Sequence, residues 1–376
     1  MEKFRAKSNI VLAALSVLAL FAFFAAENGK IDVRQDHFEE KIEAAKIHQL
    51  ATKTIYNFRM EKGVFVDAVN DPNQTALIGQ EYTMITTDRG YLDAKLSSTN
   101  PNFSAIIVQL LKEAGVEKGD NVAIAMTGSF PAVNIAVYAA MKTLSLNPIT
   151  ITSVGSSNWG ANDPDFTWLD MENLLKKSNV FDYKSVAASI GGGSDIGRGL
   201  SPEGRDLIIE AIERNGIPLI REDHLEHSIE KRMDIYNSQS DEKPIKAFIN
   251  VGGGIASLGN SINGRIIPAG LSPFLPKSNF PVRGAMIQMG QNNIPIIHLL
   301  NINNLLKKYG MAINPVPLPD PGEGEIFVQK KYNMVTTSIA AVILIIVILV
   351  VYFQERKHQQ LGKDVVFDAM EKKNEV

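Results

Sequence analysis

Two stretches of the chain are uncharged and apolar almost without interruption: Asn9–Ala26, "NIVLAALSVLALFAFFAA", and Met334–Phe353, "MVTTSIAAVILIIVILVVYF". At about 1.5 Å of rise per residue, each is long enough to cross a bilayer as a helix. Between them the pattern changes. "HFEEKIEAAKIHQLATKTIYNF" reads as a charged helix with Phe38, Ile42 and Ala45 on one face, a stalk or the outermost helix of a domain. His37 and His48 fall on it and are expected in solvent. From Tyr91 onward short apolar runs alternate with helical periodicity. "NPNFSAIIVQLLKEAG" puts Phe103, Ile106, Ile107, Leu110 and Leu111 on one face, with Asn100 as cap, Pro101 in the first turn and Gly115 at the end.

The strand Val122–Met126 and the helix Pro131–Leu144 follow, the latter apolar nearly all round and therefore expected to be buried. "PITITS" is the next strand. Thr167–Lys177 is a helix with Thr167 and Asp170 at capping-box spacing. "SVAASI" is a strand, Ser201-Pro202-Glu203 opens a helix, and Asn215-Gly216 closes it. "IPLI", "KAFINV" and "IPIIHL" are further strands, and "NINNLLKKYG" is the last helix before the second span. Short apolar strands each followed by a helix predict an α/β fold: a mainly parallel, Rossmann-like sheet with helices on both faces, flanked by one transmembrane helix at each end. The expected organisation is a tail 1–8, a span 9–26, a stalk and domain entry 27–90, the α/β domain 91–313, a proline-rich linker 314–333, a span 334–353 and a tail 354–376.

Charge orients this arrangement. Lys3, Arg5 and Lys7 precede the first span, and Asp32, Asp36, Glu39 and Glu40 follow it. The positive-inside bias then puts both termini in the cytoplasm and the main domain outside the cell membrane. Inverted topology is the alternative. A cleavable signal peptide is disfavoured, because small residues do not stand at both required positions of a cut near Ala25 or Ala26. The net charge of −3 over 376 residues, with no Lys/Arg-rich run, excludes a broad affinity for nucleic acid. With no cysteine there is no disulfide, thiolate metal site or cysteine nucleophile.

Candidate chemistry sits where strands end, since ligands of open α/β sheets bind beyond the carboxyl ends of the strands. Four loops rich in Gly, Ser, Asn and Asp land there: "TGSFPA", "SVGSSNWGANDPDF", "GGGSDIGRG" and "GGGIASLGN". Glycine permits close backbone approach, and free N–H groups at a helix start bind anions. Ser129 has a strand–turn–helix setting but lacks the G-x-S-x-G frame, because Thr127 and Pro131 flank it. Capping, anion binding and nucleophilic attack all stay open for it. Asp195 and Arg198 on one glycine loop suit a ligand with amine and acid groups, or form an ion pair that stiffens the loop. "GGGSDIG" fails the dinucleotide fingerprint, since Ile196 stands where the third glycine belongs. No cofactor is expected. His224 and His227 lie three apart on a segment expected to be solvated, and no metal is assigned to them. Trp159 is a candidate wall of the cleft, and Trp168 a core residue.

"AKLSSTNPNFSAIIVQLLKEAGVEKGDNVAIAMTGSFPAVNIAVYAA", followed by "ITSVGSSNWGANDPDFTWLDME", resembles the bacterial poly-gamma-glutamate system protein family. The resemblance implies a part in making or exporting poly-γ-glutamate, beside the synthetase membrane complex, and implies no catalytic residue. A polyanionic ligand fits the loops. The candidate ligand-binding residues are Lys95, Thr127, Gly128, Ser129, Ser156, Asn158, Gly191, Gly192, Gly193, Ser194, Asp195, Arg198, Gly252, Gly253, Gly254 and Ser257. The expected partners are the polymer or its glutamate units, the synthetase complex and the lipid bilayer. The alternatives are an amide hydrolase or transferase working through Ser129 or Asp195, and a ligand-free scaffold.

Overall fold

The structure, a computed structural model, describes residues 9–240, 243–277, 280 and 282–374. The expected tail 1–8 therefore lies outside the described residues. The chain forms two compact units, Met1–Arg34 with Val328–Val376, and Gln35–Phe327.

In the terminal unit the helices Asn9–Asn28 and Met334–Asn374 pack together. Their apolar windows bury none of their residues, so Phe21, Phe24, Val335 and Ile339 have no protein core to enter. Both helices are long and apolar enough to cross a membrane, and lipid is the solvent that such exposed surfaces fit. Gly29 lies against Thr336 where the helices meet. Lys30 pairs with Glu27 and sits 4.6 Å from the centre of the Tyr332 ring, whose hydroxyl donates to Glu27 at 2.9 Å. Beyond them Ile31–Arg34 pairs antiparallel with Val328–Lys331.

The other unit is built on a seven-stranded sheet. Its strands are β1 (Asn121–Thr127), β2 (Asn147–Ser153), β3 (Ala187–Ser189), β4 (Leu219–Ile220), β5 (Ile245–Val251), β6 (Gly270–Ser272) and β7 (Ile296–Leu299). In space they run β4-β3-β2-β1-β5-β7-β6. All neighbours are parallel except β6, which runs antiparallel to β7. The expected α/β class is thus the observed one, and β6 is an edge strand that the sequence pattern does not announce.

Central β1 is buried at every position, as a parallel strand covered on both faces should be. On one face Ala123, Ala125, Ile149, Ile151 and Phe248 form a core with Tyr236, Met286 and Met289. Each large side chain buried there contributes about 1.5–3 kcal/mol. Tyr236 also satisfies its hydroxyl by donating to the Ile124 carbonyl at 2.9 Å. Val122, Ile124 and Met126 alternate with Ala123 and Ala125 and turn the other way. The helices Phe38–Glu61, Phe103–Glu113 and Pro131–Leu144 pack on one another. Twelve of the fourteen residues of Pro131–Leu144 are buried, which bears out its all-round apolar pattern.

Two segments differ in part from expectation. Phe38–Glu61 takes the second of its two expected forms, a helix of the domain rather than a stalk: Ala44, Ala45, Ile47, Ala51 and Ile55 are buried, and so is His48, a residue expected in solvent. The His48 Nδ1 lies 2.9 Å from Ser104 Oγ, and burial pulls the imidazole down to about 3, so it is neutral in the fold rather than solvated. Nor is the proline-rich stretch a free linker before Phe327. The Asn102 amide donates to the carbonyls of Asp320 and Glu323 at 2.8 and 3.1 Å and accepts from the Gly322 N–H at 3.1 Å. Phe327 is fully buried against Phe38. Two expected helix signals hold, with a capping box between Thr167 and Asp170 and Ser201 Oγ accepting from the Gly204 N–H at 3.1 Å. A third does not: Asn102, not Asn100, takes the cap position of the helix Phe103–Glu113, and Asn100 Oδ1 accepts from the Asn102 N–H at 3.0 Å.

Candidate functional site

The chain leaves β1 through β2 and β3 to β4 on one side, then crosses to β5 on the other side of β1. Connections diverge at that point, which opens a crevice beyond the carboxyl ends of β1 and β5. A cleft of about 550 Å³ lies there. Its walls are Ser129 and Phe130 after β1, Gly155 and Ser157 after β2, Gly192–Ser194 and Arg198 after β3, and Gly253–Ile255 after β5. One more wall comes from earlier in the chain. The strand Thr86–Asp88 pairs parallel with Ser156–Ser157, so Thr87, Arg89, Tyr91 and then Lys95, on the helix Leu92–Ser98, reach the same rim.

Of the sixteen-residue set expected from sequence, Lys95, Thr127, Ser129, Gly192, Gly193, Ser194, Arg198, Gly253 and Gly254 line the cleft. The others stand behind it. Gly128 packs against the Val154 carbonyl, and Gly252, at φ 83°, has no room for a side chain beside Thr127. Gly191, at φ 81°, bends the chain away from β3 toward the loop. Ser156 donates to the Gly128 carbonyl at 3.1 Å. Asn158 holds the Glu81 carbonyl and accepts from the Gly90 N–H at 2.8 Å, which clamps the Arg89–Gly90 turn in place. Ser257 is buried, with no partner for its hydroxyl among the described residues.

Ser129 is not a helix cap. The cap position belongs to Phe130, which makes no side-chain cap bond, and Ser129 Oγ instead accepts from the Ser157 N–H at 3.0 Å. The serine therefore ties the β1 loop to the β2 loop.

Asp195 does not pair with Arg198. Its carboxylate accepts from Ser189 Oγ at 2.7 Å, Ser228 Oγ at 2.6 Å and Ser153 Oγ at 3.2 Å, and from the Arg232 guanidinium at 2.8 Å. Both side chains of that ion pair are almost free of solvent contact, at 1% for Asp195 and 3% for Arg232. The pair pins the glycine loop to the helix Leu225–Ser238 beneath the cleft floor. Arg198 is left exposed at the rim, without a carboxylate partner among the described residues.

Lys95 is the least ordinary group. It is 2% exposed, and its Nζ donates to the Ser129 carbonyl, lies 2.9 Å from Ser157 Oγ and stands 3.8 Å over the centre of the Phe130 ring. No carboxylate among the described residues pairs with it. Burial pulls its pKa down to about 7, because the ring and two hydrogen-bonding oxygens replace water without supplying a counter-charge. Ser157, Phe130 and Arg89 escape a reading by composition alone. Ser157 stands in a loop singled out above, but its importance depends on Lys95, which is 62 residues earlier.

His224 and His227 are exposed with rings 5.6 Å apart, and among the described residues no group of three His, Cys, Asp or Glu side chains gathers to hold a metal. Trp168 is fully buried beside Tyr138, and Trp159 lies outside this cleft.

Fold and site together define an α/β domain with a glycine-walled cleft at the switch point of its sheet, lined by Arg89, Lys95 and Arg198 together with Asp88, in a chain with two candidate membrane helices. No protein-family model matches the chain, and neither a curated protein nor a solved structure does.

Proposed function

We propose that the protein is a membrane-anchored component of a poly-γ-glutamate synthesis or export system, and that its α/β domain binds the anionic polymer in the cleft between β1 and β5. The observation that carries this reading is the convergence of Arg89, Lys95 and Arg198 on one glycine-walled cleft, none with a carboxylate partner among the described residues, in a chain of net charge −3. Guanidinium groups bind carboxylates through paired charge-assisted hydrogen bonds. Beside them, the Gly253 and Gly254 N–H groups have no acceptor among the described residues and suit the same partner. The volume is in the range of a ligand site, enough for a short run of the polymer but not for a nonspecific surface coat. The resemblance of Ala94–Glu172 to the poly-γ-glutamate system family supplies the polymer's identity.

Titration calorimetry on the full chain in detergent tests it. A γ-linked glutamate oligomer is expected to bind, and Arg198→Ala to weaken binding about tenfold, or about 1.4 kcal/mol. Equal affinity for an α-linked oligomer of the same charge would reduce the site to a general polyanion binder. Absence of binding to either would favour a ligand-free scaffold.

The positive flank of the first span supports cytoplasmic termini and an extracytoplasmic domain. Lys118→Cys, in a turn exposed to solvent, would then react with a membrane-impermeant thiol reagent on intact cells. Reaction only after lysis would reverse the orientation.

A further inference from the structure

We infer that Lys95 and Ser157 form a base–nucleophile pair, and that the cleft cleaves amide bonds in an acidic chain by acyl transfer. The choice of substrate rests on the polymer-binding reading above; the pair itself does not.

The geometry of the pair is that of an activated serine. Lys95 Nζ and Ser157 Oγ are 2.9 Å apart, within the reach that proton transfer needs, and both line the cleft. Both neighbours of the pair fix its direction. The Ser129 carbonyl takes one amine hydrogen of Lys95, which leaves the nitrogen's other sites to face the Ser157 hydroxyl. The Ser157 N–H is held by Ser129 Oγ at 3.0 Å, so the nucleophile's backbone is anchored from the opposite side. Phe130 covers one side of the amine at 3.8 Å and takes the place of part of its hydration. A lysine so placed is half neutral near pH 7, which is what a general base requires. Serine–lysine pairs are one of the known variants of the serine–base arrangement. By contrast, Asp195 is committed to Arg232, and His298, buried on β7, hydrogen-bonds to Asn250 at 3.0 Å.

In the step, Ser157 Oγ bonds to the amide carbonyl carbon as its proton passes to the Lys95 amine. The Gly253 and Gly254 N–H groups, which line the same cleft and have no acceptor among the described residues, are the donors assigned to the negative charge that builds on the carbonyl oxygen. The C–N bond then breaks, and the departing amine takes the proton from Lys95, leaving an ester on Ser157. Water attacks that ester while Lys95 accepts a proton from it. The ester C–O bond breaks, the proton returns to Ser157 Oγ, and a free carboxylate leaves. One amide and one water thus give one acid and one amine.

The test uses the full chain in detergent, γ-linked glutamate oligomers of defined length, and a fluorophosphonate probe, with products and adducts read by mass spectrometry. Expected are shorter oligomers, a rate that rises with pH and levels off above about 7, and a probe adduct on the peptide holding Ser157. Ser157→Ala should lower the rate by at least about 1000-fold while keeping oligomer binding. Since the chain has no cysteine, Ser157→Cys gives a single thiol. Its alkylation by iodoacetamide should be half-maximal below the ordinary thiol value of about 8.5, because Lys95 stabilises the thiolate. Binding without cleavage or adduct overturns this inference and leaves the polymer-binding reading intact. Cleavage that survives Ser157→Ala overturns it as well. An adduct on Ser157 without oligomer binding upholds the pair and removes the polymer as its substrate.

Discussion

Replacing Asp195 by alanine should cost the domain about 3–5 kcal/mol of stability, the penalty of breaking a buried ion pair by deleting one partner. The size follows from what is left behind. Arg232 keeps its charge with almost no solvent contact, and its Nε already has no partner among the described residues. Three serine hydroxyls, those of Ser153, Ser189 and Ser228, lose their acceptor at the same time. Denaturant unfolding of the full chain in detergent reads the effect as a lower midpoint with an unchanged slope. Adding Arg232→Met should recover part of the loss, since it removes the stranded charge. A stable Asp195→Ala variant that had lost ligand would instead return Asp195 to the list of binding residues.

The opposite sign is expected at Lys95, where methionine should raise stability by about 3 kcal/mol near pH 6 and weaken carboxylate binding. In the unfolded chain a lysine titrates near 10.5; in the fold burial holds this one at about 7. The unfolded state therefore binds more protons between those values, so the wild-type fold gains stability as pH climbs from about 7 to 10.5. Below about 7 the cost of burying the ammonium is fully present. That cost is about 5 kcal/mol by the displacement, and the hydrogen bonds to Ser129 and Ser157, each worth about 1 kcal/mol, offset part of it. Methionine removes the cost and those bonds together. Unfolding measured from pH 6 to 10.5 should show the two proteins converging at the alkaline end. A variant less stable than wild type at pH 6 would mean that the amine is a structural tie rather than a group held at a cost for function.

These expectations depend on contacts of different reach, and reach explains what the sequence reveals. Local signals were dependable. The capping box at Thr167, the Ser201 cap and the apolar strands beside glycine loops are written in residues a few positions apart, and they define the parallel sheet. Glycine loops also pointed to the rim where the cleft lies, because sheets of this type gather their ligands at strand ends. What stayed hidden is non-local. Thr86–Asp88 reaches the site only by pairing with Ser156–Ser157, so Arg89, Tyr91 and the burial of Lys95 leave no local trace. Asp195 finds Arg232 37 residues on, where adjacency along the chain had suggested Arg198. Whether the helix Phe38–Glu61 is a stalk or part of the domain stayed open because its charge hid a narrow stripe of small residues, Ala44, Ala45 and Ala51, that allows close packing. Strand β6, three residues with a glycine, is too short to carry a period.

The central claim is that anionic ligands enter the cleft between β1 and β5, and a crystal structure of the full chain soaked with a γ-linked glutamate oligomer tests it most directly. The account predicts density within that cleft, with ligand carboxylates about 3 Å from the Arg198 guanidinium and the Lys95 amine. An empty cleft at saturating oligomer, or density confined to another surface, would contradict it.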